Sequence, residues 1–178
     1  MQDFSPSPLP SPVKGEGKTI ARRIDVKALI LQNSGHEGPG TIENYLKENK
    51  IAYTIVDLSK KGYKLPAPSD YNALIVMGGP MNVYETDEFP YLIEEEKIIK
   101  TAIEKNYLVL GICLGAQMMA KALDAKVTKG KTKEIGWYDI NLTEDGIEDK
   151  ALGPLGNKVK VFQWHGDTFD IPSGAVRL

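Results

Sequence analysis

Four short runs of β-branched and apolar residues, VKALILQ (26–32), AYTIVDL (52–58), ALIVM (73–77) and YLVLGI (107–112), set the terms on which this chain can fold. None shows the strict polar alternation of a strand with one wet face, so each reads as a strand buried on both sides. Stretches of helical period separate them. Residues 42–49, IENYLKEN, follow Thr41 and place Ile42, Tyr45 and Leu46 on one face, with Pro39 and Gly40 marking the turn before them. Pro90 opens a longer helix, in which Glu94, Glu95 and Glu96 lie near the positive end and Lys97, Lys100 and Lys105 follow. Leu92, Ile93, Ile98, Ile99, Ala102 and Ile103 supply its apolar faces. A third helix spans about Ala116 to Leu123. Alternation of this kind predicts an α/β fold with an open, mostly parallel sheet and helices on both faces, because parallel strands need crossovers and helical crossovers cover the sheet. Farther on, AKVTK (125–129), EIGWYDINL (134–142) and KVKVFQWH (158–165) read as three more strands, with Asp145, Gly146, Gly153, Pro154 and Gly156 in the turns between.

The chain has 178 residues, 42% of them apolar. One domain of this size buries roughly 70% of its unfolded surface and needs no disulfide or metal staple. The single cysteine, Cys113, excludes an internal disulfide and a multi-cysteine zinc site, so the expected compartment is the reducing cytoplasm and no metal or cofactor is expected. A net charge of −2 gives no electrostatic reason to expect nucleic acid or an anionic membrane as partner. No apolar run approaches the ~20 residues of a membrane span. Residues 1–23 hold Pro6, Pro8, Pro10 and Pro12 with no periodicity, and read as a disordered tail ahead of a domain over 24–178.

The chemistry concentrates in YLVLGICLGAQMMAKAL, residues 107–123, where a strand runs straight into Gly111-Ile112-Cys113-Leu114-Gly115 and then into a helix. This is a nucleophile elbow written with cysteine. Glycines two residues before and after leave room for the strained backbone that holds a side chain proud of the strand end. A helix N-terminus aimed at the sulfur predicts a depressed thiol pKa and offers donors to an oxyanion. A lone cysteine is more often a small buried hydrophobe, but strand, Gly-x-Cys-x-Gly and helix in this order favour the nucleophile. Met77-Gly78-Gly79-Pro80 ends another strand, on the edge where open α/β sheets bind ligands. Two histidines could serve as a base. His36 sits in the NSGHEGPG loop and reads as solvated, whereas His165 in Trp164-His165-Gly166-Asp167 suggests a Cys113, His165, Asp167 triad.

In this order, MGGPMNVYE (77–85), LGICLGAQMMAKAL (110–123), EIGW (134–137) and WHGD (164–167) resemble a class I glutamine amidotransferase domain, of the stand-alone group similar to the amidotransferase part of GMP synthase. The resemblance implies a flavodoxin-like sheet. It implies that Cys113 attacks the side-chain amide of glutamine, forming a glutamyl thioester and releasing ammonia. Gly79 and Leu114 would supply the oxyanion-hole N–H groups, while Gly78, Gln117 and His165 would hold the substrate. Glutamine would be one partner and a synthetase subunit or other ammonia-accepting enzyme another, with no cofactor. The resemblance also replaces the triad, since in such domains the base comes from a later His-x-Glu, and no histidine follows His165. Gly174-Ala175-Val176-Arg177-Leu178 would begin a further strand, which implies a family member lacking its C-terminal elements. Two other readings compete. A cysteine-elbow peptidase or gamma-glutamyl hydrolase keeps the elbow, and a non-catalytic binding module accounts for the missing base; Gln117 and EIGW favour the amidotransferase.

Overall fold

The structure, a computed structural model, describes residues 25–178, so the expected tail lies outside the described residues. Its main sheet is built from β1 (Lys27–Gln32), β2 (Ala52–Asp57), β3 (Ala73–Val76) and β4 (Leu108–Gly111), all parallel, in the order β2-β1-β3-β4. Successive side chains in a strand face opposite ways, and the two cores divide accordingly. Ala28, Ile30, Ala73, Ile75 and Met77 pack with Leu46 of helix α1 (Thr41–Glu48). Leu29, Leu31, Leu74 and Val76 pack with Leu92, Ile99 and Ala102 of α2 (Tyr91–Glu104) and with Leu114 and Met118 of α3 (Leu114–Ala122). Helices therefore cover both faces, as the alternation predicts.

The structure corrects the expectation that all four strands are buried on both sides. β1 and β3 are central and buried almost throughout. β2 and β4 form the edges among the described residues, and each shows partial alternation. Leu108 and Leu110 stay exposed because the eight-residue α1 packs toward β2 and does not reach β4. α2 differs from its sequence reading as well. Its buried stripe is Leu92, Glu95, Ile99 and Ala102, so one of the three glutamates near its positive end lies fully inside, while Ile93 is exposed.

Beyond α3, what reads as two strands is one, β5 (Val127–Asn141), irregular between Lys129 and Glu134. It pairs antiparallel with β6 (Lys158–Phe169), forming a separate two-stranded ribbon. Between them lie α4 (Glu144–Glu148) and a 3₁₀ turn at Gly153–Leu155. β6 continues four residues past His165, which places the WHGD segment inside a strand rather than at its end. Residues 170–178 form no strand, contrary to the sequence reading. They fold back on the cap of α4, where Thr143 donates its N–H to the Leu178 carbonyl (3.3 Å) and its hydroxyl to that of Arg177 (2.8 Å).

Candidate active site

In a sheet of order 2-1-3-4, the chain switches direction of winding between β1 and β3, and the crevice beyond their carboxyl ends is where such folds bind ligands. Asn33 follows β1 there, Gly78 and Gly79 follow β3, and Cys113 follows β4. A surface hollow lined by Lys27, Ala52 and Tyr71 opens at the opposite, amino ends of the strands and has no part in this chemistry.

Cys113 caps α3 with φ 52° and ψ −108°, a left-handed conformation that costs a non-glycine residue on the order of 1–3 kcal/mol. The two flanking glycines make it sterically accessible. A Cβ on Gly111 would stand 2.6 Å from the Gly115 carbonyl carbon, and one on Gly115 would stand 2.2 Å from the Val76 carbonyl oxygen. No side chain fits at either position, so β4 turns sharply into α3 with the helix start lying directly on β3. The helix accordingly begins at Leu114, two residues earlier than its apolar pattern suggests.

The elbow is therefore present, but the expected depression of the thiol pKa is not. Burial pushes the Cys113 thiol up, the Leu114 N–H facing the sulfur pulls it down, and the Glu37 carboxylate pushes it up again. Cys113 is exposed as a residue, yet its sulfur lies beneath the ribbon, with Sγ donating to the Trp164 carbonyl at 3.9 Å. Desolvation and the nearby carboxylate outweigh the helix end and hold the thiol above its ordinary value. Glu37 was not singled out in the sequence. It comes from the same loop as His36, which is exposed, and its Oε2 lies 3.6 Å from where a Gly78 Cβ would be. Iodoacetamide alkylation of Cys113 should accordingly inflect above the ~8.5 of free cysteine. Glu37→Gln should move that inflection to lower pH and speed alkylation at pH 7.5; an unmoved profile would show that the carboxylate does not act on the sulfur.

The other segments converge on the same crevice. Gly78 packs against Cys113, its Cβ position lying 3.5 Å from the Cys113 Cβ, and Gly79 lies 3.2 Å by the same measure from the Leu114 side chain. Gln117, buried on the first turns of α3, donates Nε2 to the Asp167 carbonyl at 3.5 Å. His165 Nδ1 lies 3.1 Å from that same carbonyl, and its Nε2 lies 2.9 Å from Glu134 Oε2. The β5–β6 register sets Glu134 directly opposite His165, so the EIGW and WHGD segments meet through this pair. Asp167 is buried with Oδ2 unpartnered, and Tyr84 of the MGGPMNVYE segment lies against its carboxylate.

No Cys113, His165, Asp167 relay is formed. Asp167 meets the imidazole through its main-chain carbonyl rather than its carboxylate, and the cysteine sulfur meets Trp164 and Leu114. Sequence reasoning reached the histidine and missed its partner, although Glu134 stands first in one of the segments that carry the resemblance. Among the described residues, no cluster of three His, Cys, Asp or Glu side chains could hold a metal ion, and no helix is long and apolar enough to cross a membrane.

Known proteins resemble this chain over much of its length. The sequence model of the family described as glutamine amidotransferase class-I matches residues 32–177. The glutamine amidotransferase-like protein YfeJ of Salmonella typhimurium is 38% identical over 110 residues, which is 60% of this chain and 46% of that protein. A GMP synthase [glutamine-hydrolyzing] of Wolinella succinogenes is 30% identical over 156 residues, 86% of this chain and 28% of that one. The crystal structure of a glutamine amidotransferase from Thermotoga maritima superposes with a TM-score of 0.78 at 37% identity, covering 85% of this chain and 65% of that chain. The chain thus spans about half the length of YfeJ and under a third of the GMP synthase. With a match over residues 32–177 and the parallel sheet of the family's solved structures, the chain belongs to the class I glutamine amidotransferase family.

Proposed function

We propose that the protein hydrolyses the side-chain amide of glutamine through Cys113 and delivers the ammonia to a synthetase partner. The observation that carries this reading is the strained Cys113 at the start of α3, with the Leu114 N–H facing its sulfur and Gly78 and Gly79 packed beside it. Attack of Sγ on the amide carbon forms a C–S bond and moves the carbonyl electron pair onto oxygen. Leu114 and Gly79 N–H groups stabilise that oxyanion, an interaction worth on the order of 10²–10³ in rate for a single donor. Collapse breaks the C–N bond and expels ammonia once its nitrogen is protonated; water then cleaves the glutamyl thioester to glutamate and the free thiol. With the thiol pushed above its ordinary pKa, the proton that Sγ loses during attack is the one that ends on the departing nitrogen, and the rate rises with pH toward the thiol pKa.

Gln117 and His165 line the glutamine pocket in this account, and Gly78 lets the substrate lie close to the sulfur. His165 is a positioning group, since both ring nitrogens already have partners in Asp167 and Glu134. The unpartnered Asp167 Oδ2 suits the α-ammonium of glutamine, which would pair a buried acceptor otherwise left unsatisfied. Glutamine as substrate and a synthetase as partner are carried over from relatives such as the glutamine-hydrolysing GMP synthases. A substrate panel tests the reading: L-glutamine, a γ-glutamyl anilide and an unstructured peptide, each followed for product release and for a mass shift on Cys113. Turnover or acylation by glutamine alone is expected. Cleavage of the anilide or the peptide in preference to glutamine would replace it with the gamma-glutamyl hydrolase or peptidase reading.

A further inference from the structure

Glu95 occupies a position on α2 that an apolar side chain would normally hold, three residues after Leu92 and four before Ile99, and it is fully buried. Its Oε1 accepts from Asn33 Nδ2 at 3.0 Å, and the same Nδ2 donates to the Met77 carbonyl at 3.1 Å. An amide nitrogen has two hydrogens, so the two bonds form together. Met77 immediately precedes Gly78, and a Gly79 Cβ would stand 3.0 Å from the Asn33 Cβ. Asn33 therefore braces the strand end that lies against Cys113, and Glu95 braces Asn33. Tyr91 adds a third tie, donating its hydroxyl to the Asn33 carbonyl at 3.1 Å.

Two buried oxygens in this cluster have no partner among the described residues, Asn33 Oδ1 and Glu95 Oε2. They are the second atoms of the two groups already joined through Nδ2 and Oε1. One proton on Glu95 Oε2 would donate to Asn33 Oδ1 and close an acid–amide ring that satisfies both, whereas an ionised carboxylate leaves two acceptors without a donor. Among the described residues, no cation from the neighbouring elements is directed at the group. Lys121 of α3 pairs with Glu96 at 2.9 Å, Lys60 pairs with Asp57 beyond β2 at 3.4 Å, and Tyr91 is the neutral titratable neighbour on α2 itself. Burial pushes the Glu95 carboxyl up to about 7, with the Asn33 hydrogen bond acting the other way.

We propose that Glu95, as a neutral acid clasped to the Asn33 amide, is the positioning residue that sets the Met77–Gly79 segment against Cys113 for oxyanion binding. This rests on the reading of Gly79 as an oxyanion donor. It predicts that Gln, which keeps the shape and can close the same ring, replaces Glu95, and that Ala cannot.

The test compares wild type, Glu95→Gln and Glu95→Ala with two electrophiles. A chloroketone analogue of glutamine passes through a tetrahedral oxyanion at Cys113, whereas iodoacetamide is displaced without one. For the chloroketone, Glu95→Ala should lower the maximal inactivation rate about 10-fold with half-saturation little changed, and Glu95→Gln should stay within about two-fold of wild type. Iodoacetamide rates should be alike in all three, which also reports that each is folded. Thermal unfolding supplies a second readout that needs no reaction. A carboxyl whose folded pKa lies above its unfolded value binds more protons in the folded state, so its contribution to stability is full below about 4.5 and is lost as pH rises through about 7. Glu95→Gln should therefore gain stability over wild type from pH 5 to pH 8. A Glu95→Ala protein with an undiminished chloroketone rate, or a Glu95→Gln protein with no pH-dependent gain, overturns the proposal. Failure of the chloroketone to label wild type at all overturns the nucleophile reading beneath it.

Discussion

Cys113→Ala is expected to reduce ammonia release from L-glutamine by at least about 10³-fold, to the level of the uncatalysed reaction, because the thioester route has no other nucleophile. The chain has one cysteine, and its backbone is held at φ 52° at the start of α3. The variant should fold as wild type does, since an exposed residue is being shortened by one atom. His165→Ala should behave differently, chiefly weakening glutamine binding, since its ring is fixed between Glu134 and the Asp167 carbonyl rather than against the sulfur. If His165→Ala instead matched Cys113→Ala in lost turnover with unchanged binding, the simple Cys113, His165 pairing would be restored. Steady-state kinetics on the two variants separates the outcomes.

Gly115→Ala carries the largest expected cost in stability. A methyl group there would sit 2.2 Å from the Val76 carbonyl oxygen and 2.8 Å from its carbon, and both are backbone atoms of a central strand that cannot rotate away. Helix α3 must therefore lift from the sheet, at a cost of about 3 kcal/mol, the upper end of what overpacking usually costs. In a domain of this size that corresponds to about 10 °C in Tm. The shift also carries Cys113 and Leu114 away from Gly78 and Gly79, so reactivity toward glutamine analogues should fall even at temperatures where the protein is folded. Circular dichroism melts and labelling at 20 °C test both halves. A Tm within 2 °C of wild type, estimated against the roughly 2–4 °C per kcal/mol of such domains, would show that the close approach is not rigid.

The parallel sheet was readable in the sequence because its central strands, ALIL in β1 and ALIV in β3, are buried on both faces and so have no polar residues to interrupt them. The elbow was readable for a related reason. Gly111 and Gly115 are needed to avoid backbone collisions, and that need leaves a mark at fixed spacing around Cys113. What stayed hidden depends on contacts between distant segments. Glu95 looks like a helix-dipole residue among Glu94 and Glu96, and only its phase relative to Leu92 and Ile99 hints that it faces inward toward Asn33, 62 residues earlier. The pairing of Glu134 with His165 follows from the β5–β6 register, which no local pattern specifies. The direction of the thiol shift was misjudged because the helix end is local and visible, whereas burial under the ribbon and the approach of Glu37 are tertiary. The exposed Leu108 and Leu110 show the converse limit, since an apolar run announces a strand without saying which of its faces will be covered.

If Cys113 is a nucleophile that acts on glutamine, it should react selectively with electrophiles shaped like that substrate. Intact-mass and peptide analysis after incubation with a diazoketone analogue of L-glutamine, with and without excess L-glutamine, tests it most directly. The account predicts a single adduct, located on Cys113, formed with saturable kinetics and suppressed by L-glutamine but not by D-glutamine. An unmodified Cys113, or one alkylated at the same rate whether or not L-glutamine is present, would contradict it.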